Sequence, residues 1–141
     1  RESAAVGLWA GTVDEQFHPY VRPQETGYKT DVRWIALTRA NGIGLLAVGR
    51  LLLGAAAGRF RHDDFEYGPE KGQRHPTDMT PRDLVALNVD LGQMGLGGDD
   101  SWGARPHDEY MLFAKPYEYS FRLRPFAAGD PLPAVLARQA P

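Results

Sequence analysis

Apolar and polar residues alternate strictly through Tyr117-Glu118-Tyr119-Ser120-Phe121-Arg122-Leu123-Arg124. A period of two is that of a half-buried strand, so Tyr117, Tyr119, Phe121 and Leu123 are expected on a buried face and Glu118, Ser120, Arg122 and Arg124 on a wet one. Asp31 to Thr38 predicts a second strand. The Asn41-Gly42 pair after it predicts the positive φ angles of a tight hairpin turn, and Ile43 to Val48 predicts the returning antiparallel partner. Leu84 to Asp90 and Glu109 to Phe113 predict two more strands, while Leu51 to Phe60 is a weaker candidate because Ala and Gly lower its strand propensity. Helix is confined to a short turn at Arg61 to Glu66 and a coil at Pro133 to Gln139, where Pro131, Pro133 and Pro141 favour fraying. No internal repeat is present.

Strands with one apolar face, separated by Gly and Pro turns, have to bury that face against another sheet. The expected fold class is therefore all-β, an antiparallel β-sandwich over residues 1–126, either complete or half of a larger one. Residues 127–141, from Ala127-Ala128-Gly129-Asp130-Pro131, predict a disordered tail beyond the last strand. The chain has no initiator Met and runs directly from Arg1 into a structured-looking segment. The expectation is a piece of a longer polypeptide.

Composition narrows the function. Sixteen Lys+Arg against 18 Asp+Glu give a net charge of −2, and no basic stripe is available to follow a phosphate backbone, so nucleic acid is not an expected partner. With 43% hydrophobic residues the chain can form a core. It has no cysteine, which excludes a disulfide framework, a thiolate nucleophile and Cys-containing zinc sites, and suits a reducing compartment; a cytoplasmic location is the expectation. The apolar run from Ile43 to Ala57 is interrupted by Gly44, Gly49, Arg50 and Gly54, well short of the roughly 20 residues that span a bilayer, so no membrane association is expected.

Most motifs of catalysis are missing: no P-loop, no Gly-x-Gly-x-x-Gly, no His-Glu-x-x-His, no EF-hand loop. His18, His62, His75 and His107 lack metal-ligand spacing, and structural or surface roles are expected for them. The informative stretch runs from Gln93 to His107. Gly97 and Gly98 permit a tight backbone, and Asp99, Asp100 and Ser101 can hydrogen-bond the amides of their own turn, which together make a rigid loop. Asp99 and Asp100 are too few oxygens for calcium. Trp102 is unexplained by the loop alone: a large indole among polar residues either stacks on the apolar C–H face of a sugar or folds back as a lid on the core. A second constellation, Pro19 to Gly27 followed by Lys29 to Trp34, places Arg22, Glu25 and Arg33 either in a buried ion network or against sugar hydroxyls.

The runs Pro19-Tyr20-Val21-Arg22-Pro23-Gln24-Glu25, Thr30-Asp31-Val32-Arg33-Trp34, Met94-Gly95-Leu96-Gly97-Gly98-Asp99-Asp100-Ser101-Trp102 and Tyr117 to Leu123 closely resemble the C-terminal domain of the bacterial β-galactosidases of glycoside hydrolase family 2. The resemblance extends from Arg1 to about Phe126, and is loose over Leu51 to Gly72, where it assigns no role. It implies the second half of a large galactose-mutarotase-like sandwich, in an enzyme that hydrolyses terminal β-galactosides with retention through two carboxyls about 5–5.5 Å apart. Those carboxyls, and the Mg²⁺ and monovalent cation of the family, would lie on other domains, so no catalytic residue, metal ligand or cofactor is expected in this chain. Trp102 would be its substrate-binding residue, supported by Gly97, Gly98, Asp99, Asp100 and Ser101. The implied partners are the remaining domains, a galactoside reached through the full enzyme, and further copies in a homo-oligomer. Two rival readings are a free-standing carbohydrate-binding module and a purely structural or oligomerisation domain.

Overall fold

The computed structural model describes residues 5–66, 68, 75–100 and 102–139. Its elements are β1 (Lys29–Thr38), β2 (Gly44–Gly58), β3 (Ala86–Asp90), β4 (Phe121–Phe126) and one helical turn, α1 (Pro133–Leu136), with short 3₁₀ turns between them. The all-β expectation holds. The strands form one four-stranded sheet in the order β1-β2-β3, with β4 also pairing with β2.

The β1–β2 connection forms where Asn41-Gly42 predicted it, with a different division of labour. Only Gly42 has positive φ, at 81°. Asn41 instead accepts a hydrogen bond from the Ile43 amide at 3.1 Å, and the turn closes through Gly42 N to Arg39 O at 2.9 Å and Arg39 N to Ile43 O at 2.8 Å. One left-handed residue at the end of a short loop is the glycine-bulge form of a hairpin, not the paired left-handed form. The weak candidate at Leu51 to Phe60 proves to be the continuation of β2 as far as Gly58. Its small side chains are what allow it to be covered: Ala55 is fully enclosed and Ala56 nearly so.

The chain divides into two compact units. One comprises residues 1–29 and 55–89, the other 30–54 and 90–141. In the second unit β2 and β4 are antiparallel, registered from Gly44 opposite Phe126 to Gly49 opposite Phe121. Residues directly opposite each other share a face. Leu46, Val48, Arg122, Arg124 and Phe126 therefore lie on one side, and there Leu46, Phe126 and Leu136 form the core, joined by Trp34, Ala36, Val48 and Ala137.

Three expectations are corrected in this unit. The strand expected over Tyr117 to Arg124 begins only at Phe121, and its faces are reversed: Phe121 and Leu123 are 38% and 53% exposed. The arginines turn inward because the helical turn supplies acceptors. Arg122 donates to the carbonyls of Gln139 at 2.7 Å and Leu136 at 3.2 Å, and Arg124 donates to Gln139 Oε1 at 2.5 Å. Cations at a helix C-terminus satisfy carbonyls that have no partner within the helix. The tail expected to be disordered begins with the Ala127–Asp130 turn, closed by Asp130 Oδ2 accepting from Ala127 N at 2.8 Å, and continues into α1, whose Leu136 is fully buried. Pro133 does not fray this helix but opens it, at a position where its missing N–H costs nothing. Finally, Glu109 to Phe113 is not a strand: Asp108–Tyr110 is a 3₁₀ turn, and Tyr110 and Phe113 are 61% and 50% exposed.

In the first unit the 3₁₀ turn His62–Asp64 appears where a helical turn was expected, and Asp64 anchors it. Its Oδ2 accepts from the Arg61 amide at 2.8 Å, and its two oxygens take a bidentate contact from Arg82 at 2.6 and 2.7 Å. Arg59 adds a hydrogen bond from Nε to the Arg82 carbonyl at 3.0 Å.

Candidate functional site

The loop from Gly95 to Met111 belongs wholly to the second unit and is closed at its base by Gly95 N donating to Tyr110 O at 2.8 Å. Asp100 organises the interior. Its Oδ1 accepts from the Trp102 amide at 2.8 Å and from the Ala104 amide at 3.2 Å, so a single carboxylate oxygen fixes the backbone on both sides of Gly103. The amides of Trp102, Ala104 and Gly103, in that order, hold the Asp100 carboxyl below the usual carboxylate range, because they bond only its charged form. Asp99 faces away from these amides and meets His107, whose Nε2 lies 2.9 Å from both of its oxygens.

Gly98 is needed because a Cβ there would collide with the Ala104 carbonyl, and Gly103 because its φ is +116°. Gly97 has no neighbour that a side chain would meet, so it contributes less to the loop than expected. Ser101 lies outside the described residues. Two participants were not singled out as loop support from the sequence, Gly103 and His107. The Asp99 to His107 spacing gave no local signal, since the pair meets only once the loop has turned back on itself.

Of the two readings of Trp102, the lid on the core does not occur in this chain. Trp102 is 92% exposed. Its backbone is held by Asp100 while its indole projects into solvent, an arrangement in which the loop need not be ordered when the aromatic plate makes contact.

The second constellation also resolves differently from expectation. No charged residue is buried among those described, and Arg22 and Arg33 are both exposed, so the expected buried ion network is not formed. Glu25 turns instead to groups of its own unit: its Oε1 accepts from Asn88 Nδ2 at 3.2 Å and lies 3.4 Å from His62 Nδ1. These three residues border a cleft of about 50 Å³ whose walls include Phe17, Phe60 and Phe65 and whose floor is built from Ala56, Ala57 and Ala86. Phe60 is the centre of the aromatic set, with ring centroids 4.9 Å from Phe17 and 5.8 Å from Phe65.

No group of three or more His, Asp or Glu able to hold a metal converges among the described residues, and no helix of the described chain is long and apolar enough to cross a membrane. What the loop offers chemically is an exposed aromatic surface on a backbone held by Asp100, with the Asp99 carboxylate engaged by His107.

The fold is all-β with a braced aromatic loop, and comparison with known proteins identifies the family. The profile described as "Beta galactosidase small chain" matches residues 1–123. The chain belongs to that family. It is 39% identical over 126 residues to a β-galactosidase of Priestia megaterium, covering 89% of this chain and 12% of that protein. To the β-galactosidase of Vibrio cholerae it is 34% identical, covering 87% and 11%, and to that of Streptococcus thermophilus 33%, covering 86% and 12%. The chain thus spans only about an eighth of the length of these relatives.

Proposed function

We propose that this chain is the C-terminal accessory domain of a glycoside hydrolase family 2 β-galactosidase and completes the sugar-binding site of an enzyme that releases terminal β-galactose with retention. The observation that carries the reading is Trp102, 92% exposed on a loop braced by Asp100 and by the Asp99–His107 contact, in a chain of the small-chain family. The indole stacks on the C–H face of the galactosyl ring, removing that face from water, while the sugar hydroxyls bond to groups on other domains. The acid/base and nucleophile carboxyls, the Mg²⁺ and the monovalent cation belong to those domains. This chain supplies binding and the exclusion of water on one side of the site. The whole enzyme works in the cytoplasm as a homo-oligomer.

The open face of β4 supports the same reading. Tyr119, Phe121 and Leu123 are large and 38 to 53% exposed, and the rings of Tyr119 and Phe121 stack at 5.9 Å. A contiguous apolar surface of this kind is suited to contact with another layer, and we assign that layer to the remaining domains, as the second sheet of the sandwich. A free-standing carbohydrate-binding module would have no use for it.

The test separates the chain from the rest of the enzyme. Neither the 141-residue chain nor the polypeptide lacking it should hydrolyse a chromogenic galactoside at the intact enzyme's rate, because the reaction requires two positioned carboxyls and a complete sugar site. Turnover by the chain alone that disappears on mutating one of its own acidic residues would refute the accessory reading.

A further inference from the structure

We propose that the Glu25 cleft of the first unit is a binding site for a planar organic cation, the guanidinium head group of an arginine-like ligand, separate from the Trp102 loop. The cleft joins three features that such a head group uses. A carboxylate stands at its edge, with Oε1 already engaged by Asn88 and His62 and Oε2 left for an incoming donor. Three phenylalanine rings with centroids 4.9 and 5.8 Å apart, tilted by 43° and 59° to one another, present both faces and edges to the space between them. Aromatic faces attract cations through the ring quadrupole, and guanidinium also stacks because it is flat and weakly hydrated.

Size suits a small head group. About 50 Å³ is room for a few water-sized groups, on the scale of the heavy atoms of a guanidinium and less than a hexopyranose ring with its hydroxyls presents. The floor of Ala56, Ala57 and Ala86 explains why the space is open, since no side chain there is long enough to fill it. Charge selects the sign: Glu25 is the lining residue that carries a formal charge at neutral pH, and its side chain is only 31% exposed, so a paired cation is poorly screened by water.

The probe is methylguanidinium chloride at millimolar concentration, followed by amide chemical shifts of the ¹⁵N-labelled 141-residue chain. Methylurea, its neutral planar isostere, is the control. Saturable shifts at Gly58, Ala86 and Asn88 are expected with the cation, at least about tenfold weaker binding with methylurea, and a similar loss in Glu25→Gln, which keeps the side chain's shape and an acceptor for Asn88. Phe60→Leu provides a second variant that keeps the charge and loses the central ring, with binding weakened several-fold. Equal response to methylguanidinium and methylurea, saturable binding that survives Glu25→Gln in a folded protein, or silence at all three amides would overturn the proposal. Repeating the titration in the longer polypeptide identifies the source of the head group. A site silent there and responsive in the 141-residue chain is filled by an arginine of the parent protein, and a site responsive in both takes a free cation.

Discussion

Replacing Trp102 by alanine separates binding from stability more cleanly than any other single change. Its side chain is 92% exposed, so its removal leaves no cavity. Exposed substitutions of this type alter stability by no more than about 0.5 kcal/mol, or about 2 °C in the Tm of a domain this size. In the intact enzyme the effect is on sugar affinity. An indole buries roughly 150–250 Å² when fully covered, and stacking a sugar on one face covers on the order of half of that. At about 25 cal/mol per Å² the contact is worth about 2.5 kcal/mol at the middle of that range, and about 1 kcal/mol if the sugar covers the ring incompletely. KM should therefore rise about 5- to 70-fold. A stacking contact remote from bond cleavage would be equally strong in the ground and transition states, so kcat should fall much less. The assays are thermal melting of the isolated chain and steady-state kinetics of the intact enzyme on one chromogenic galactoside. A loss of roughly 6 °C or more in Tm, the signature of a buried aromatic, or an unchanged KM in a folded enzyme would refute the stacking role.

Four further outcomes follow from the packing and the loop. Leu136→Ala should destabilise the second unit by about 2–5 kcal/mol, read by urea denaturation, because a fully enclosed leucine leaves a cavity; a change under 0.5 kcal/mol would mean that the C-terminal turn is not part of the core. Asp100 has its pKa depressed in the folded loop by the amides of Trp102, Ala104 and Gly103, so the order it confers is present above the ordinary carboxylate range and is lost as pH falls through the lowered value. Hydrogen exchange at the Trp102 and Ala104 amides should accordingly quicken in acid, and in Asp100→Ala it should be fast at every pH. Gly98→Ala should disorder the same loop, seen as lost dispersion at Gly103 and Ala104, while leaving the unfolding midpoint of the sheet nearly unchanged. The isolated chain should self-associate through the open face of β4, and light scattering from a clean monomer at high concentration would contradict that expectation.

What the sequence disclosed depended on whether a residue's partner was close along the chain. Asp31 to Thr38 and the Asn41-Gly42 turn were legible because period and turn chemistry are local, and the turn needed only Gly42 to be left-handed. The faces of β4 were not. Alternation reports that two faces differ, and the usual assumption places the apolar one inside this chain. Here the carbonyls of Leu136 and Gln139 draw Arg122, and the side-chain oxygen of Gln139 draws Arg124, to the inner face, and the apolar face is left open. Glu109 to Phe113 misled for a related reason, being an apolar run whose large side chains stay exposed in this chain. Pro131 and Pro133 read as signs of fraying because the anchor, Leu136, is a single leucine whose burial depends on Leu46 and Phe126 far away. The loop's glycines and carboxylates were readable as a rigid turn, yet the outward pose of Trp102 and the Asp99–His107 contact required the folded geometry.

The placement of Leu136 imposes an order on synthesis. The first unit uses no residue later than Val89, so its parts are all made by the time β3 has left the ribosome. The core of the second unit joins Leu46, translated early, to Phe126 and Leu136, translated late. Until those arrive, the leading half of β2 lacks both its β4 partner and its cover, and an unpaired strand edge beside exposed leucines is what promiscuous association exploits. A nascent chain that has emerged only as far as a point between Asp90 and Phe126 would thus hold one finished unit and one adhesive strand. Pauses that hold the chain at that stage should be costly to yield, whereas pauses after Leu136 and Ala137 have emerged should be harmless to this core.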